Sequence, residues 1–238
     1  MFVGDYHTHT TFSDGKGSVL QNALAAKEKG LSEIAVTDHG FRVLSRGIRK
    51  YLRAKKECKE AENVTGIRVI AGIEADIVSL EGDVDIREDH LARIDYIVVG
   101  FHKFAPPKGL SDFFKMYFVT YFNGLIPTGK TDRARNTRAL IKAIYRYPVK
   151  VVTHLNHSLR VNVGDVAAAC AERGVLIELN AKHLKALKGH WHELAQSGAK
   201  FIVNSDSHRP RDVGKLQKAF DEAVKNGIDP ARIVNYKE

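Results

Sequence analysis

Nine side chains able to bind a metal ion recur along the chain: His7 and His9 in DYHTHT, Asp14 in SDG, His39 in TDHG, Glu74 in GIEAD, His102 in GFH, His154 in THLNH, and Asp206 with His208 in NSDSH. Imidazole nitrogen together with carboxylate oxygen suits Zn²⁺, Mn²⁺ or Fe²⁺, and the absence of cysteine from the set argues against a soft thiolate site. Nine candidates exceed the needs of one ion, so the set predicts two to three divalent transition metal ions. A carboxylate such as Glu74 can bridge two of them. In an extended segment side chains alternate, so His7 and His9 point the same way and can grip one ion. Gly15 lets the chain turn so that Asp14 faces back toward them.

The elements that would gather these residues are legible as well. Seven short apolar, β-branched runs fall at residues 1–6, 33–37, 68–73, 95–100, 149–153, 175–179 and 200–204. They are nearly continuous rather than alternating, as strands buried on both faces are. Helical patterns lie between them and stop at Gly30, Gly174, Gly198 and Gly227, where a residue free to adopt positive φ ends a helix easily. Strand–helix alternation predicts βαβ units and a parallel sheet, and seven such units predict a closed or nearly closed α/β barrel. The barrel is expected to occupy residues 1–238 as a single domain, with an insertion at about 103–131 that is longer than ordinary connections. Every expected strand but the sixth, which runs into Asn180, hands over to a candidate ligand. The C-terminal ends of parallel barrel strands meet on one face, so residues distant in sequence would converge on one mouth.

Composition narrows the setting. Hydrophobic residues make up 44% and charged residues 27%, ordinary for a globular protein. No apolar run is long enough for a transmembrane helix, and MFVGDYHTHT lacks the basic start and apolar core of a signal peptide. Cys58 and Cys170 show no metal or redox spacing, which fits thiols in a reducing, cytoplasmic setting. The net charge of +9 concentrates in two stretches: residues 42–60 hold eight Lys/Arg against two Glu, and residues 103–138 hold seven against two Asp. Such runs are usually solvated helix faces; the alternative is attraction of an anionic substrate. Both stretches begin just past a candidate ligand, His39 or His102. Lys103, Arg160 and Arg209 directly adjoin ligand motifs and are candidate phosphate contacts. Asp38 is expected to support its neighbours rather than bind metal. His157 is open between support, substrate contact and loop surface. His90, His183, His190 and His192 are expected to face solvent. The aromatic run FFKMYFVTYF at 113–122 reads as a helix burying one face, or an oligomer contact, ahead of a base-stacking surface.

The motifs HTHT…SDG, TDHG, GIEADI, GFH, THLNH and NSDSH, in this order over most of the chain, resemble those of the PHP (polymerase and histidinol phosphatase) family. The resemblance implies a distorted seven-stranded β/α barrel, a trinuclear metal centre and hydrolysis of phosphate esters. It implies one metal on His7, His9, Glu74 and Asp206, a second on Glu74, His102 and His154, and a third on Asp14, His39 and His208. Some members carry a histidine, offset by one position, where this chain has Asp14. The function expected is that of a metal-dependent phosphoesterase. A metal-activated water attacks in line, Glu74, Asp206 and His208 carry catalysis, and a His or Asp near the third site is the candidate proton donor. A small phosphomonoester is favoured as substrate. A nuclease or phosphodiesterase, or an inactive barrel binding nucleic acid, is the alternative that the positive charge suggests; the intact ligand set argues against inactivity. C–N bond hydrolysis ranks last, because the lysine-bridged binuclear pattern is missing.

Overall fold

The computed structural model describes residues 1–40, 47–102, 108–109 and 130–237. Its strands are β1 (Gly4–Thr8), β2 (Glu33–Val36), β3 (Arg68–Asp76), β4 (Tyr96–Gly100), β5 (Val151–Val152), β6 (Leu176–Asn180) and β7 (Phe201–Asn204). They form one sheet in sequence order, and each adjacent pair is parallel. The two edge strands approach each other as well. Thr8 and Ser207 form a parallel bridge, His9 N donates to Ser207 O at 2.7 Å, and Tyr6 N donates to Asn204 Oδ1 at 2.9 Å. The sheet is therefore a nearly closed seven-stranded barrel.

β3 shows how the barrel tilts its strands. Residues 68–71 pair with β2, and residues 72–76 pair with β4. This stagger is what closing a sheet requires. It also carries the strand past Ile73, where the apolar run stops, so that Glu74 and Asp76 stand within β3. β5 is shorter than its apolar run. Thr153 N still donates to Val99 O at 2.9 Å, but His154 N turns to the Glu178 carboxylate at 2.8 Å, and His154 adopts a φ of 27° that no strand continues through.

Seven α-helices are described: α1 (Val19–Glu28), α2 (Ile48–Thr65), α3 (Glu88–Leu91), α4 (Lys130–Arg146), α5 (Val163–Arg173), α6 (Trp191–Gln196) and α7 (Gln217–Lys225). A capping box of Ser18 and Gln21 starts α1, satisfying backbone N–H groups that no helical carbonyl reaches. α2 buries Tyr51, Ala54, Cys58, Ala61 and Thr65, one stripe at helical spacing. Its basic residues lie on the other faces: Lys55 pairs with Asp95, Lys56 with Glu60 and Lys59 with Glu62. The first basic stretch, where described, is thus largely a solvated helix face. Of the expected insertion at 103–131, nearly all lies outside the described residues, as do the aromatic run and residues 41–46.

The core has two layers. Between sheet and helices lie Ile34, Ile97, Leu140, Ile144, Ile177, Leu179, Leu194 and Phe201, all fully buried. A smaller cluster gathers Val98, Val151 and Ile202 with Tyr6, Tyr96 and Leu176. Leu176 shares a face of β6 with Glu178 and Asn180, and Ile202 shares a face of β7 with Asn204. That face is apolar at the N-terminal end of the strands and polar at the C-terminal end. Cys58 and Cys170 are free and buried, and burial pushes both thiols up to about 12. No described helix is long and apolar enough to cross a membrane.

Candidate metal centre

The nine residues singled out by type and spacing come together at the C-terminal end of the barrel. Glu74 is at the centre. Its Oε1 lies 3.2 Å from His7 Nε2, 3.3 Å from His102 Nε2 and 2.9 Å from His154 Nε2. Its Oε2 lies 3.4 Å from His9 Nε2 and 3.1 Å from His39 Nδ1. Asp206 Oδ1 approaches His9 Nε2 at 3.5 Å and His208 Nδ1 at 3.4 Å. Asp14 reaches His208 Nε2 at 3.0 Å and His39 Nε2 at 3.7 Å. Three groups have donor atoms mutually within 4.8 Å: His9, Asp14, His39 and His208; His7, His9 and Asp206; and His39, Glu74 and His102.

Local folding explains the convergence. β1 carries a register shift between Asp5 and Thr8, after which the ring nitrogens of His7 and His9 meet at 3.1 Å. Gly15 does not have the positive φ that a tight turn would ask of it. Its missing side chain matters instead: a Cβ there would sit 2.4 Å from His9 O. Asp38 acts as expected, accepting from Thr10 N, Thr10 Oγ1 and Ser13 Oγ at 2.5–2.7 Å, and so holds the loop that carries Asp14. Among the described non-glycine residues, His154, Asn156 and Asp206 have positive φ. Two of these three belong to the cluster, and such backbone conformations persist where the surroundings enforce them.

The cluster rests on a buried layer that sequence reasoning did not single out. Glu178, in the middle of β6, accepts from His7 Nδ1 at 2.7 Å, Thr153 Oγ1 at 2.5 Å, His154 N at 2.8 Å, Asn180 Nδ2 at 2.9 Å and Asn204 Nδ2 at 3.0 Å. Asp76 Oδ1 lies 2.5 Å from His102 Nδ1, and Asp76 N in turn donates to Asp85 at 2.9 Å. A carboxylate on Nδ1 places the proton there and leaves the Nε2 lone pair free to bind a metal. The signal was available: Glu178 and Asp76 are ionisable residues inside apolar runs, VLIELN and GIEADI, and such residues are rarely fully buried without a partner.

Two further residues were missed. Lys182, in the loop after β6, places Nζ 2.7 Å from His208 Nδ1 and 3.3 Å from Asp206 Oδ1. His183 Nε2 lies 3.4 Å from Asp206 Oδ2, so it is not the solvent-facing residue expected, and it stacks on exposed His157 with ring centroids 3.7 Å apart. His90 and His190 are half-buried, beside Asp89 and Glu193 respectively, whereas His192 is exposed. No strand-end ligand follows β6, so nothing in the motif pattern pointed to that loop. Arg160 and Arg209 are exposed in the loops after β5 and β7; their carbonyls accept from Asn136 Nδ2 and Ser207 Oγ. Lys103 lies outside the described residues.

The electrostatics follow from crowding of opposite charges in a buried site. Burial opposes the charge on Glu74, but His102, His7 and His39 outweigh it and hold its carboxyl well below the usual range. Burial likewise opposes charge on Asp206, and His7, His183 and His9 hold it well below. Against burial, Glu74 and Asp14 raise His39 to about 10. Glu178 and Glu74 raise His7 well above its ordinary value, and Glu74 and Asp76 do so for His102. His9 goes the other way, to about 4, chiefly because it is buried. Without metal, the carboxylates therefore hold protons on histidines, and divalent ions would replace those protons.

The donor set fits such ions. His9 Nδ1, His39 Nδ1 and Glu74 Oε2 are buried and make no well-aligned hydrogen bond among the described residues, although the last two stand 3.1 Å apart. Buried polar atoms are ordinarily satisfied. The ring nitrogens that meet at 3.1 Å in His7 and His9 and at 3.0 Å in His102 and His154 are placed to share a cation once those protons leave.

Known proteins resemble this chain both in sequence and in fold. A probable phosphatase of Shewanella sp. (strain MR-4) is 30% identical over 92% of this chain and 82% of its own length. One of Thermoanaerobacter sp. (strain X514) is 28% identical over 98% of this chain and 90% of its own. The fold is similar to that of the histidinol phosphate phosphatase of Lactococcus lactis subsp. lactis Il1403, solved with zinc, L-histidinol and phosphate. There the TM-score is 0.62 at 16% identity, over 95% of this chain and 94% of that one. The PHP domain matches residues 5–226, nearly the whole barrel, and on that match the chain belongs to the PHP family.

Proposed function

We propose that this chain, a metal-dependent hydrolase of phosphate esters, acts on a small phosphomonoester at a centre of two to three Zn²⁺, Mn²⁺ or Fe²⁺ ions. The observation that carries the reading is the paired imidazoles around Glu74, with their far nitrogens tied to Glu178 and Asp76. In this reading His7, His9, Glu74 and Asp206 hold one ion, Glu74, His102 and His154 a second, and Asp14, His39 and His208 a third. The fold neighbour's zinc, L-histidinol and phosphate, and the relatives' naming as phosphatases, support zinc and a small ester.

Bound there, the ions would supply Lewis-acid charge that lowers the pKa of an attacking water and stabilises the phosphoryl oxygens. The chain does the rest. Glu178 and Asp76 fix the tautomers of His7 and His102. Glu74 and Asp206 supply negative charge that balances the cations. Where the third ion is absent, His208, partly exposed between Asp14 and Lys182, is placed to give a proton to a leaving oxygen. Arg160, Arg209 and Lys103 remain proposed contacts for the phosphate. The single domain of 1–238 is likewise part of this reading.

The test is elemental analysis of metal-loaded protein together with phosphate release from a panel of monoesters and from single- and double-stranded oligonucleotides. Two to three ions per chain and turnover of small monoesters are expected. A metal-loaded sample that cleaves oligonucleotides but no monoester would replace this reading with the phosphodiesterase one.

A further inference from the structure

Beside the metal centre lies a cavity of about 480 Å³, lined by Lys182, Lys185, Lys188, Lys218 and Trp191 among others. Lys182 joins the two spaces: it lines this cavity, while its Nζ touches His208 and Asp206. Lys185 and Lys188 come from the turn between β6 and α6, and Lys218 from the first turn of α7. All four lysines are exposed. Lys185, Lys188 and Lys218 pair with no carboxylate among the described residues, unlike Lys55, Lys56 and Lys59 of α2. One carboxylate, Glu222, lines the cavity, and Asn226 Nδ2 donates to it at 3.2 Å. Unpaired ammonium groups around a concave space attract anions, and a phosphate there would take several charge-assisted hydrogen bonds at once.

We infer that this cavity is a second anion subsite, and that the substrate is a small molecule carrying a second phosphate or carboxylate apart from the ester phosphate that is cleaved. The inference rests on the phosphoesterase reading of the metal centre and adds the class of substrate. Lys182 marks the path between the two anionic ends.

The experiment uses α,ω-alkanediol bisphosphates of two to six carbons and the alkyl monophosphates of matching length, with metal-loaded protein and phosphate release as the readout. At least one bisphosphate should exceed its monophosphate by about tenfold in kcat/KM, the scale expected of three partly screened charge contacts. That ratio should fall to about two or below in the combined variant Lys185→Ala, Lys188→Ala, Lys218→Ala. No preference at any length, or a preference that survives the variant, overturns the subsite. If neither series releases phosphate, the phosphoesterase reading fails, and the subsite is judged by binding instead. Trp191 is the sole tryptophan of the chain and lines the cavity, so its fluorescence reports occupancy. A saturating change with bisphosphate, about tenfold weaker in the triple variant, is expected; no change, or equal affinity in both proteins, overturns the inference. The three side chains are exposed, and circular dichroism checks that the variant folds.

Discussion

Two buried regions of this barrel obey opposite rules. Between sheet and helices, Phe201, Leu140 and Ile144 are enclosed by apolar neighbours, and every contact there favours the folded chain. At the mouth, His7, His9, Glu74 and Asp206 are buried just as deeply, yet their charges are crowded, some donor atoms lack well-aligned partners and two backbone positions are held at positive φ. The first region is built for stability. The second stores an arrangement that stability alone would not select, and cations complete it. Changes in the two regions should therefore separate cleanly into losses of folding and losses of chemistry.

The largest effect should come from Glu74→Ala. Every group of the cluster except Asp14, Asp206 and His208 meets this carboxylate directly, so phosphate release should fall by about three orders of magnitude. Circular dichroism should remain that of a folded barrel. Unchanged turnover in a folded, metal-checked variant would refute the bridged centre. In the other region, Phe201→Ala should cost about 3–5 kcal/mol of stability by urea unfolding, because the ring is fully buried and also carries the Arg232 guanidinium 5.0 Å from its centre. The protein that remains folded should bind its normal complement of metal; loss of metal in step with stability would mean that the two regions are not separable.

A smaller effect tests the supporting layer. Glu178→Gln keeps the shape but weakens the hold on His7 Nδ1. Metal affinity or turnover should drop about 10–100-fold, read by competition with a chelator. A variant that loses neither would show that Thr153, whose Oγ1 stands 3.0 Å from His7 Nδ1, holds the ring unaided. The smallest effect concerns pH. In metal-free protein His39 is raised to about 10, with His7 and His102 raised as well. A raised histidine contributes stability that is fully present below about 6.5 and is lost as pH rises through the folded value. Glu74 and Asp206 are lowered, so their contribution is lost only in acid, and His9, lowered to about 4, also contributes fully above its ordinary value. Chelator-treated protein should thus melt a few degrees lower at pH 9 than at pH 7. Metal-loaded protein, whose histidines are already neutral ligands, should show a smaller drop. Equal drops in both samples would remove the protonated-histidine account.

The contrast also explains what could be read from residues alone. Ligand candidates were legible because His and acidic residues follow directly on apolar runs, and parallel strands deliver their ends to one place. Glu178 and Asp76 were overlooked because they lie within such runs, where apolar character sets the reading. The lysines at 182, 185, 188 and 218 were overlooked for a different reason. The densest basic run, in α2, looked more important, but its described lysines largely meet carboxylates on a solvated face, whereas a sparser set from two separate elements converges around one cavity.

The order of strands and helices, the parallel sheet and the set of candidate ligands at the strand ends were determined by the sequence itself. Hydrophobic periodicity and helix-stopping glycines are local properties, and they need no partner to be expressed. The stagger that carries Glu74 inside β3, the carboxylates that set histidine tautomers, the strained backbone at His154 and Asp206 and the lysine-lined cavity were decided only by tertiary structure. Each depends on atoms more than twenty residues apart being brought within a few ångströms, and no window of sequence contains that distance.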